Sequence, residues 1–130
     1  MQTLGVGVDI IDNSRIKKSI KNKKFLSRVF SNIEIVNSRK NSNKSGYFSK
    51  RFAAKEAFSK ALGSGFRNGL NFNDISVVND RYGKPSIKLN AKLKNIINKR
   101  FKTIKVNVFL SISDEKEHSI AFVVIEKKWF

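Results

Sequence analysis

Residues 49–65, SKRFAAKEAFSKALGSG, constrain the fold of this chain more than any other stretch. They are rich in alanine, lysine and glutamate, and neither proline nor a β-branched residue interrupts them, which predicts a helix. At about 100° per residue, its apolar face comprises Tyr47, Ala54, Phe58, Ala61 and Leu62. Glu56 and Lys60 lie on the opposite side, beside Ser49 and Ala53. Gly63 is expected to end the helix as a left-handed cap.

Glu56 and Lys60 alone have a simple interpretation. An exposed ion pair one turn apart stabilises a helix by only about 0.2–0.5 kcal/mol and implies no function. A second block of sequence favours a functional role for these two residues. In residues 5–16, GVGVDIIDNSRI, an apolar strand is predicted to end on Asp9, and Arg15 follows it. The glycines of this block do not form a dinucleotide fingerprint, because no third glycine or helix start follows in place.

The two blocks together resemble the holo-[acyl-carrier-protein] synthase family, the small phosphopantetheinyl transferases. The family patterns are G-hydrophobic-D-I followed by R, and F-A-x-K-E-A-x-x-K-A-L-G. This chain has GVDI at 7–10 with Arg15 after it, and FAAKEAFSKALG at 52–63. The similarity continues in register over nearly all of the 130 residues, including GKP at 83–85 and the closing strands.

The resemblance implies a reaction that supports fatty acid biosynthesis. A serine hydroxyl of an apo acyl carrier protein attacks the pantetheine-side phosphorus of coenzyme A. The phosphopantetheine arm is transferred, and adenosine 3′,5′-bisphosphate leaves. The expected catalytic residues are Asp9, Glu56 and Lys60, with Asp9 and Glu56 as ligands of Mg²⁺, which one or two carboxylates typically bind. The general base stays open between Glu56 acting directly and Glu56 acting through a metal-bound water.

The resemblance also assigns contacts to coenzyme A, the substrate, with Lys60 on its pyrophosphate. Further expected contacts are Arg51, Gly63, Ser64, Gly65, Ser111 and Ser113. Because the glycines follow the helix, a phosphate there needs Lys60 and loop amides turned towards it. Two positions depart from the family pattern. Asp114 replaces a frequent histidine and cannot donate to a phosphate, whereas Ser64 replaces a threonine and keeps the hydroxyl.

Periodicity along the rest of the chain predicts an α+β fold: an antiparallel sheet with helices on one side, in a single domain over residues 1–130. Strands are expected at 3–9, 75–79, 86–89, 104–112 and 120–125. Helices are expected at 13–21, at 25–30 with a continuation over 31–36, and at 91–101. A polar loop is expected over 37–45 and a turn over 114–118. The lone histidine, His118, begins the last strand and is expected to be structural or exposed.

The charge balance indicates an acidic partner. Lys and Arg number 27 against 10 Asp and Glu, a net charge of +17, which attracts nucleic acid, an anionic membrane or an acidic protein alike. The resemblance selects an acidic acyl carrier protein. Its expected contacts lie on the two helical segments after Asp9: Arg15, Lys18, Lys21, Lys24 and Arg28.

Two other functions are open from the residues. A nucleic-acid-binding module would use the basic charge with Phe25, Phe30, Phe48 and Phe52. Against it, the carboxylates of Asp9 and Glu56 would repel a phosphate backbone unless they held a metal. No specific nucleic acid is therefore expected. The other alternative, a scaffold without catalysis, would not need these carboxylates or Lys60.

Composition predicts the remaining properties. The chain has no cysteine, no signal-peptide pattern and no apolar run long enough for a membrane span, so we expect a cytoplasmic protein without membrane attachment. The resemblance implies a homotrimer with coenzyme A at subunit boundaries. The apolar last strand, the ending KKWF at 127–130 and eleven phenylalanines favour such burial.

Overall fold

The computed structural model describes residues 2–129. Its strands are β1 (Gln2–Asp12), β2 (Ser76–Asn79), β3 (Pro85–Lys88), β4 (Val106–Asp114) and β5 (His118–Lys127). Its helices are α1 (Asn13–Ser19), α2 (Lys23–Val29), α3 (Asn32–Ser38), α4 (Lys44–Leu62) and α5 (Ala91–Phe101), with a 3₁₀ turn at Phe72–Asp74. The predicted α+β fold is confirmed. No helix within the described part of the chain is long and apolar enough to cross a membrane.

The main sheet is antiparallel, with strand order β1-β5-β4 and α4 packed on one face. Asp9 and Ile112 both pair with Ala121 of the central strand, so these three residues form one row across the sheet. Side chains alternate between faces, and the inner face carries the buried residues Ala121, Val123 and Ile125. The second predicted strand pair, β2 and β3, is a hairpin that forms a separate sheet.

Helix α4 and strand β1 approach each other so closely that only glycine fits on the strand. A Cβ atom added at Gly5 would lie 1.8 Å from the carbonyl oxygen of Ala61, and one at Gly7 would lie 1.9 Å from that of Ala57. The helix presents alanines at this contact, so the two backbones meet without intervening side chains. The glycine pair near the N-terminus therefore serves backbone packing.

A buried ion pair fixes the other side of α4. Lys55 Nζ lies 2.7 Å from Glu34 Oε1, and both side chains are fully buried. Lys55 also donates to the carbonyls of Phe72 and Ile75, while Glu34 Oε2 accepts from the backbone N–H of Val77 at 3.0 Å. Burial lowers the pKa of Lys55, and the charge of Glu34 opposes this shift. The pair thus joins α3, α4 and β2, a contact that sequence alone does not predict.

A row of phenylalanines connects the segment after α4 to α2. Phe66 stacks on Phe72 at 3.8 Å between ring centroids, Phe72 on Phe52 at 5.4 Å, and Phe52 on Phe25 at 6.3 Å. Phe30 and Phe48, which the nucleic-acid hypothesis would use, are 1% and 4% exposed. Phe30, Phe48 and Phe52 are therefore part of the core, and Phe25, Phe66 and Phe72 pack partly buried against it, so these rings are taken up by packing with one another and not left free for stacking bases.

Several predicted boundaries are wrong. Strand β1 does not end at Asp9, because pairing with the start of β5 carries it to Asp12, whose side chain caps α1 through the Ser14 N–H. The helix predicted from Ser49 begins at Lys44, where Asn43 caps it, so the predicted polar loop shortens to 39–43. The predicted continuation over 31–36 is instead a separate helix, α3, with its own cap.

The buried pair gives the first prediction. Lys55→Met should destabilise the fold by about 3–5 kcal/mol, because it leaves the Glu34 carboxylate buried without its partner. Urea unfolding would measure this. Lys94→Met, at an exposed position of α5, is the control and should change stability by less than about 0.5 kcal/mol.

A double variant separates lost charge pairing from lost packing. Glu34→Gln with Lys55→Met keeps an acceptor for the Val77 N–H and removes the buried charge, so it should recover part of the loss. Equal stability of Lys55→Met and the Lys94→Met control would contradict the role of the pair.

Candidate active site

Asp9 and Lys60 are in contact across β1 and α4. Asp9 lies on the inner face of the sheet, in register between Gly7 and Ile11, and its side chain is 16% exposed. Lys60 Nζ donates to Asp9 Oδ1 at 3.2 Å and to the carbonyl of Val8 at 3.0 Å. Within residues 2–129, no salt bridge joins Lys60 to Glu56. The simple interpretation of these two residues as a helical ion pair is therefore wrong, because Lys60 points to the strand.

Glu56 lies one helical turn before Lys60 and is half-buried. Burial raises the pKa of its carboxyl, and the negative charge of Asp9 raises it further, while Lys60 and Arg15 act in the opposite direction. Two carboxylates and two cations from β1, α1 and α4 are thus close enough to influence one another. The two motifs predict that Asp9 and Glu56 act together, and the fold brings them close enough for the charge of Asp9 to affect Glu56.

Asp9 and Glu56 could bind a metal ion whose other ligands are waters or phosphate oxygens. The described residues contain no group of three or more metal-ligating side chains of histidine, cysteine, aspartate or glutamate. Burial is the main cause of the raised pKa of Glu56, the charge of Asp9 adds to it, and a cation between the two carboxylates would offset both effects. Such a donor set fits Mg²⁺, which commonly binds one or two carboxylates and keeps waters or phosphate oxygens.

The turn after α4 has the predicted left-handed cap. Gly63 and Gly65 have φ angles of 82° and 62°. The Gly63 N–H donates to the carbonyls of Lys60 and Ser59, and the Gly65 N–H donates to that of Ser59 at 3.3 Å. These two N–H groups complete the helix end, and the contacts of this loop with coenzyme A stay a prediction. Ser64, half-buried between them, offers a side-chain hydroxyl.

Arg51 lies apart from this group. Its guanidinium stacks on the Tyr47 ring at 3.6 Å, and its Nη2 donates to Asn79 Oδ1 at 2.6 Å. Burial lowers its pKa. At about 100° per residue, Arg51 and Lys60 are on opposite sides of α4. Within one chain, the fold does not bring Arg51 to Asp9.

Ser111 and Ser113 are also separated from Asp9 within one chain. They are exposed on β4 and alternate with Leu110 and Ile112, which face α4. The serines therefore lie on the outer face of the sheet, whereas Asp9 lies on the inner face. The predicted contacts for coenzyme A are divided between two surfaces of the chain.

The five cations predicted to bind a carrier protein are all exposed on or beside α1 and α2: Arg15, Lys18, Lys21, Lys24 and Arg28. We call these five residues the basic surface; of them, Arg15 is near enough to affect the carboxyl of Glu56. Asp114 ends β4 and is exposed. His118 contacts Glu115 at 2.9 Å, and its side chain is 43% exposed.

Sequence reasoning missed Arg100 of α5. Its Nε donates to the carbonyl of Leu62 at 2.8 Å and so holds the end of α4. A basic residue in the last turn of an amphipathic helix is a common pattern and did not indicate which carbonyl it would reach. The contact spans 38 residues, and only the fold reveals it.

Comparison with known proteins gives one consistent family. The family model of the 4′-phosphopantetheinyl transferase superfamily matches residues 5–123. Holo-[acyl-carrier-protein] synthase of Pelagibacter ubique is 58% identical over 98% of this chain and 100% of the relative. Holo-[acyl-carrier-protein] synthase of Ehrlichia chaffeensis is 45% identical over 94% of this chain and 95% of the relative.

Solved structures agree. Holo-[acyl-carrier-protein] synthase of Neisseria meningitidis has a TM-score of 0.86 at 34% identity, covering 96% of this chain and 99% of its own. The enzyme of Bacillus anthracis, in complex with CoA (3′,5′-ADP), has a TM-score of 0.81 at 35% identity, covering 98% of this chain and 100% of its own. The chain therefore belongs to the holo-[acyl-carrier-protein] synthase family of the 4′-phosphopantetheinyl transferase superfamily.

Proposed function

We propose that the protein transfers the phosphopantetheine arm of coenzyme A to a serine of apo acyl carrier protein, in a Mg²⁺-dependent reaction that supports fatty acid biosynthesis in the cytoplasm. One domain over residues 1–130 carries the activity. The observation that carries the proposal is the contact of Lys60 with Asp9 beside Glu56, which joins the two family motifs. Its support is that relatives with this activity in their names align over nearly the whole chain.

Asp9 and Glu56 would hold Mg²⁺, which when bound supplies positive charge next to the pyrophosphate of coenzyme A. Lys60 adds a second positive charge, and its exposed ammonium group can reach a phosphate in front of Asp9. Both charges stabilise the negative charge that develops on the phosphate oxygens during transfer. Ser64 lies one turn beyond Lys60 and can donate to the same substrate.

Glu56 is the base in this proposal. Its half-buried carboxylate is close to Asp9 and Lys60, where the serine hydroxyl would approach the pyrophosphate of coenzyme A, so it is placed to accept the proton. The serine oxygen bonds to phosphorus, the bond from phosphorus to the adenosine bisphosphate oxygen breaks, and the serine proton passes to Glu56. Delivery of this proton directly or through a water stays open.

Assembly into a homotrimer would complete the site. The outer face of the sheet carries exposed apolar side chains on all three strands: Val6, Val8, Ile10, Phe109, Ile120 and Phe122. A contiguous apolar surface of this kind is typical of an interface. Ser111 and Ser113 lie on the same outer face, so a neighbouring subunit could bring them to coenzyme A held at Asp9. Trp129 is 76% exposed, and Phe130, also used in the sequence argument, lies outside the described residues.

The metal assignment gives the second prediction. Asp9→Asn or Glu56→Gln should abolish transfer, because the amide keeps the shape and removes the charge that would hold Mg²⁺. Mass spectrometry of the carrier protein measures transfer. Glu117→Gln, at an exposed turn position, is the control with the same chemical change. Near-normal Mg²⁺-dependent activity in either site variant would refute the assignment.

Assembly gives the third prediction. Light scattering of the protein should give about three times the chain mass of 14.8 kDa. Phe122→Glu should shift it towards monomer, because the charge would be buried against a neighbouring subunit. Val36→Glu, an exposed apolar position on α3, should leave the mass unchanged. A monomer mass at micromolar concentration for the unaltered protein would contradict the trimer.

The basic surface gives the fourth prediction. Arg15→Glu with Arg28→Glu should raise the KM for carrier protein far more than the KM for coenzyme A, and added salt should mimic the defect. Arg28→Glu alone is the cleaner variant, because Arg15 also affects Glu56. Lys88→Glu with Lys94→Glu makes the same charge change at exposed positions elsewhere. Unchanged carrier kinetics together with tight, sequence-specific nucleic-acid binding would overturn the assignment.

A further inference from the structure

A basic cavity lies between the segment after α4 and helix α5, apart from the Asp9 group. Its volume is about 460 Å³, within the range of small-molecule sites. Its lining includes Asn68, Gly69, Lys92, Lys99, Arg100 and Lys102, and no carboxylate. An apolar contact from Ile96 and polar groups from Ser64 and Asn95 complete it. Cations line this concave surface together with neutral hydrogen-bonding groups.

Most of these cations have no acidic partner in the fold. Lys92 pairs with Asp74 at 2.6 Å. None of the salt bridges within residues 2–129 includes Lys99, Arg100 or Lys102. Arg100 is held in place by its bond to the Leu62 carbonyl. Three positive charges therefore share one cavity without compensation, and an anion bound there would be attracted by all three.

The backbone of the cavity is unusual. Among residues 2–129, the non-glycine residues with positive φ are Asn68 at 57° and Lys102 at 61°, and both line this cavity. Asparagine tolerates this conformation, but a lysine is less stable in it than glycine by about 1 kcal/mol. Lys102 thus occupies a position that favours glycine, and what it adds there is a positive charge.

We propose that this cavity binds a diphosphate group, and that Lys99, Arg100 and Lys102 are its charged contacts. Diphosphate chemistry fits better than a single phosphate because three cations and several amide donors surround a volume that one phosphate would not fill. The group could belong to free pyrophosphate or to a nucleoside diphosphate, whose organic part would contact Ile96. Ser64 also belongs to the contacts proposed for coenzyme A, so the inference rests on the proposed function at that residue, whereas Lys99, Arg100 and Lys102 have no role in it.

A simpler role would be stabilisation of α5, since cations favour the C-terminal end of a helix dipole. The two roles make different predictions. A helix role requires a loss of stability when the lysines are replaced. A ligand role requires a loss of anion binding, and Lys102→Gly should keep or raise stability because glycine favours the left-handed conformation.

Calorimetric titration of the full chain tests the proposal, with inorganic pyrophosphate and ADP as separate probes at physiological ionic strength. The protein carries Lys60→Gln throughout, which removes the contact proposed for the pyrophosphate of coenzyme A. Lys99→Gln with Lys102→Gly should weaken binding by about tenfold or more. Lys88→Gln with Lys94→Gln removes the same charge outside the cavity and should change binding by less than about twofold.

The outcomes separate the possibilities. Tighter binding of ADP than of pyrophosphate supports a nucleoside diphosphate as the ligand, and equal or weaker binding of ADP supports free pyrophosphate. Absence of saturable binding with both probes overturns the proposal. Equal weakening in the two double variants also overturns it, because binding would then follow the general positive charge. Unchanged binding with lowered thermal stability in Lys99→Gln, Lys102→Gly would leave only the helix role.

Discussion

The contact between β1 and α4 is the constraint on which the site depends. Gly5 and Gly7 let the strand backbone reach the carbonyls of Ala61 and Ala57, and no other residue type has room there. Asp9, two residues further along the same face, is thereby brought within 3.2 Å of Lys60. A larger side chain at either glycine would move strand and helix apart and separate these charges.

The buried Glu34–Lys55 pair complements this contact from the opposite side of α4. Lys55 immediately precedes Glu56, so anchoring Lys55 to α3 and the carbonyls near β2 fixes the rotation of the helix about its axis. The glycine contact fixes its distance from the sheet. Together, the two contacts keep the half-buried Glu56 near Asp9. Burial and the charge of Asp9 disfavour its ionised form and so raise its pKa.

The division of the predicted contacts between two faces of the sheet links the site to assembly. Asp9, Glu56 and Lys60 lie on the helix side, whereas Ser111 and Ser113 share the outer face with exposed apolar residues. A single chain therefore presents an incomplete set together with an apolar surface. A subunit covering that surface would account for both observations, which is why oligomeric state and substrate binding are tied together in our proposal.

The sequence by itself determined the fold class, the family and the two motifs that carry Asp9, Glu56 and Lys60. It also predicted both ends of helix α5 correctly. These features follow from local periodicity and motif spacing, which are properties of neighbouring residues. It did not determine that β1 extends beyond Asp9, that Lys60 bonds to Asp9 in place of Glu56, or that Lys55 is buried. Only the tertiary structure decided these, along with the cavity at α5, because each depends on residues distant in the chain. Strand pairing extended β1, backbone packing directed Lys60, and a carboxylate 21 residues away made burial of Lys55 possible.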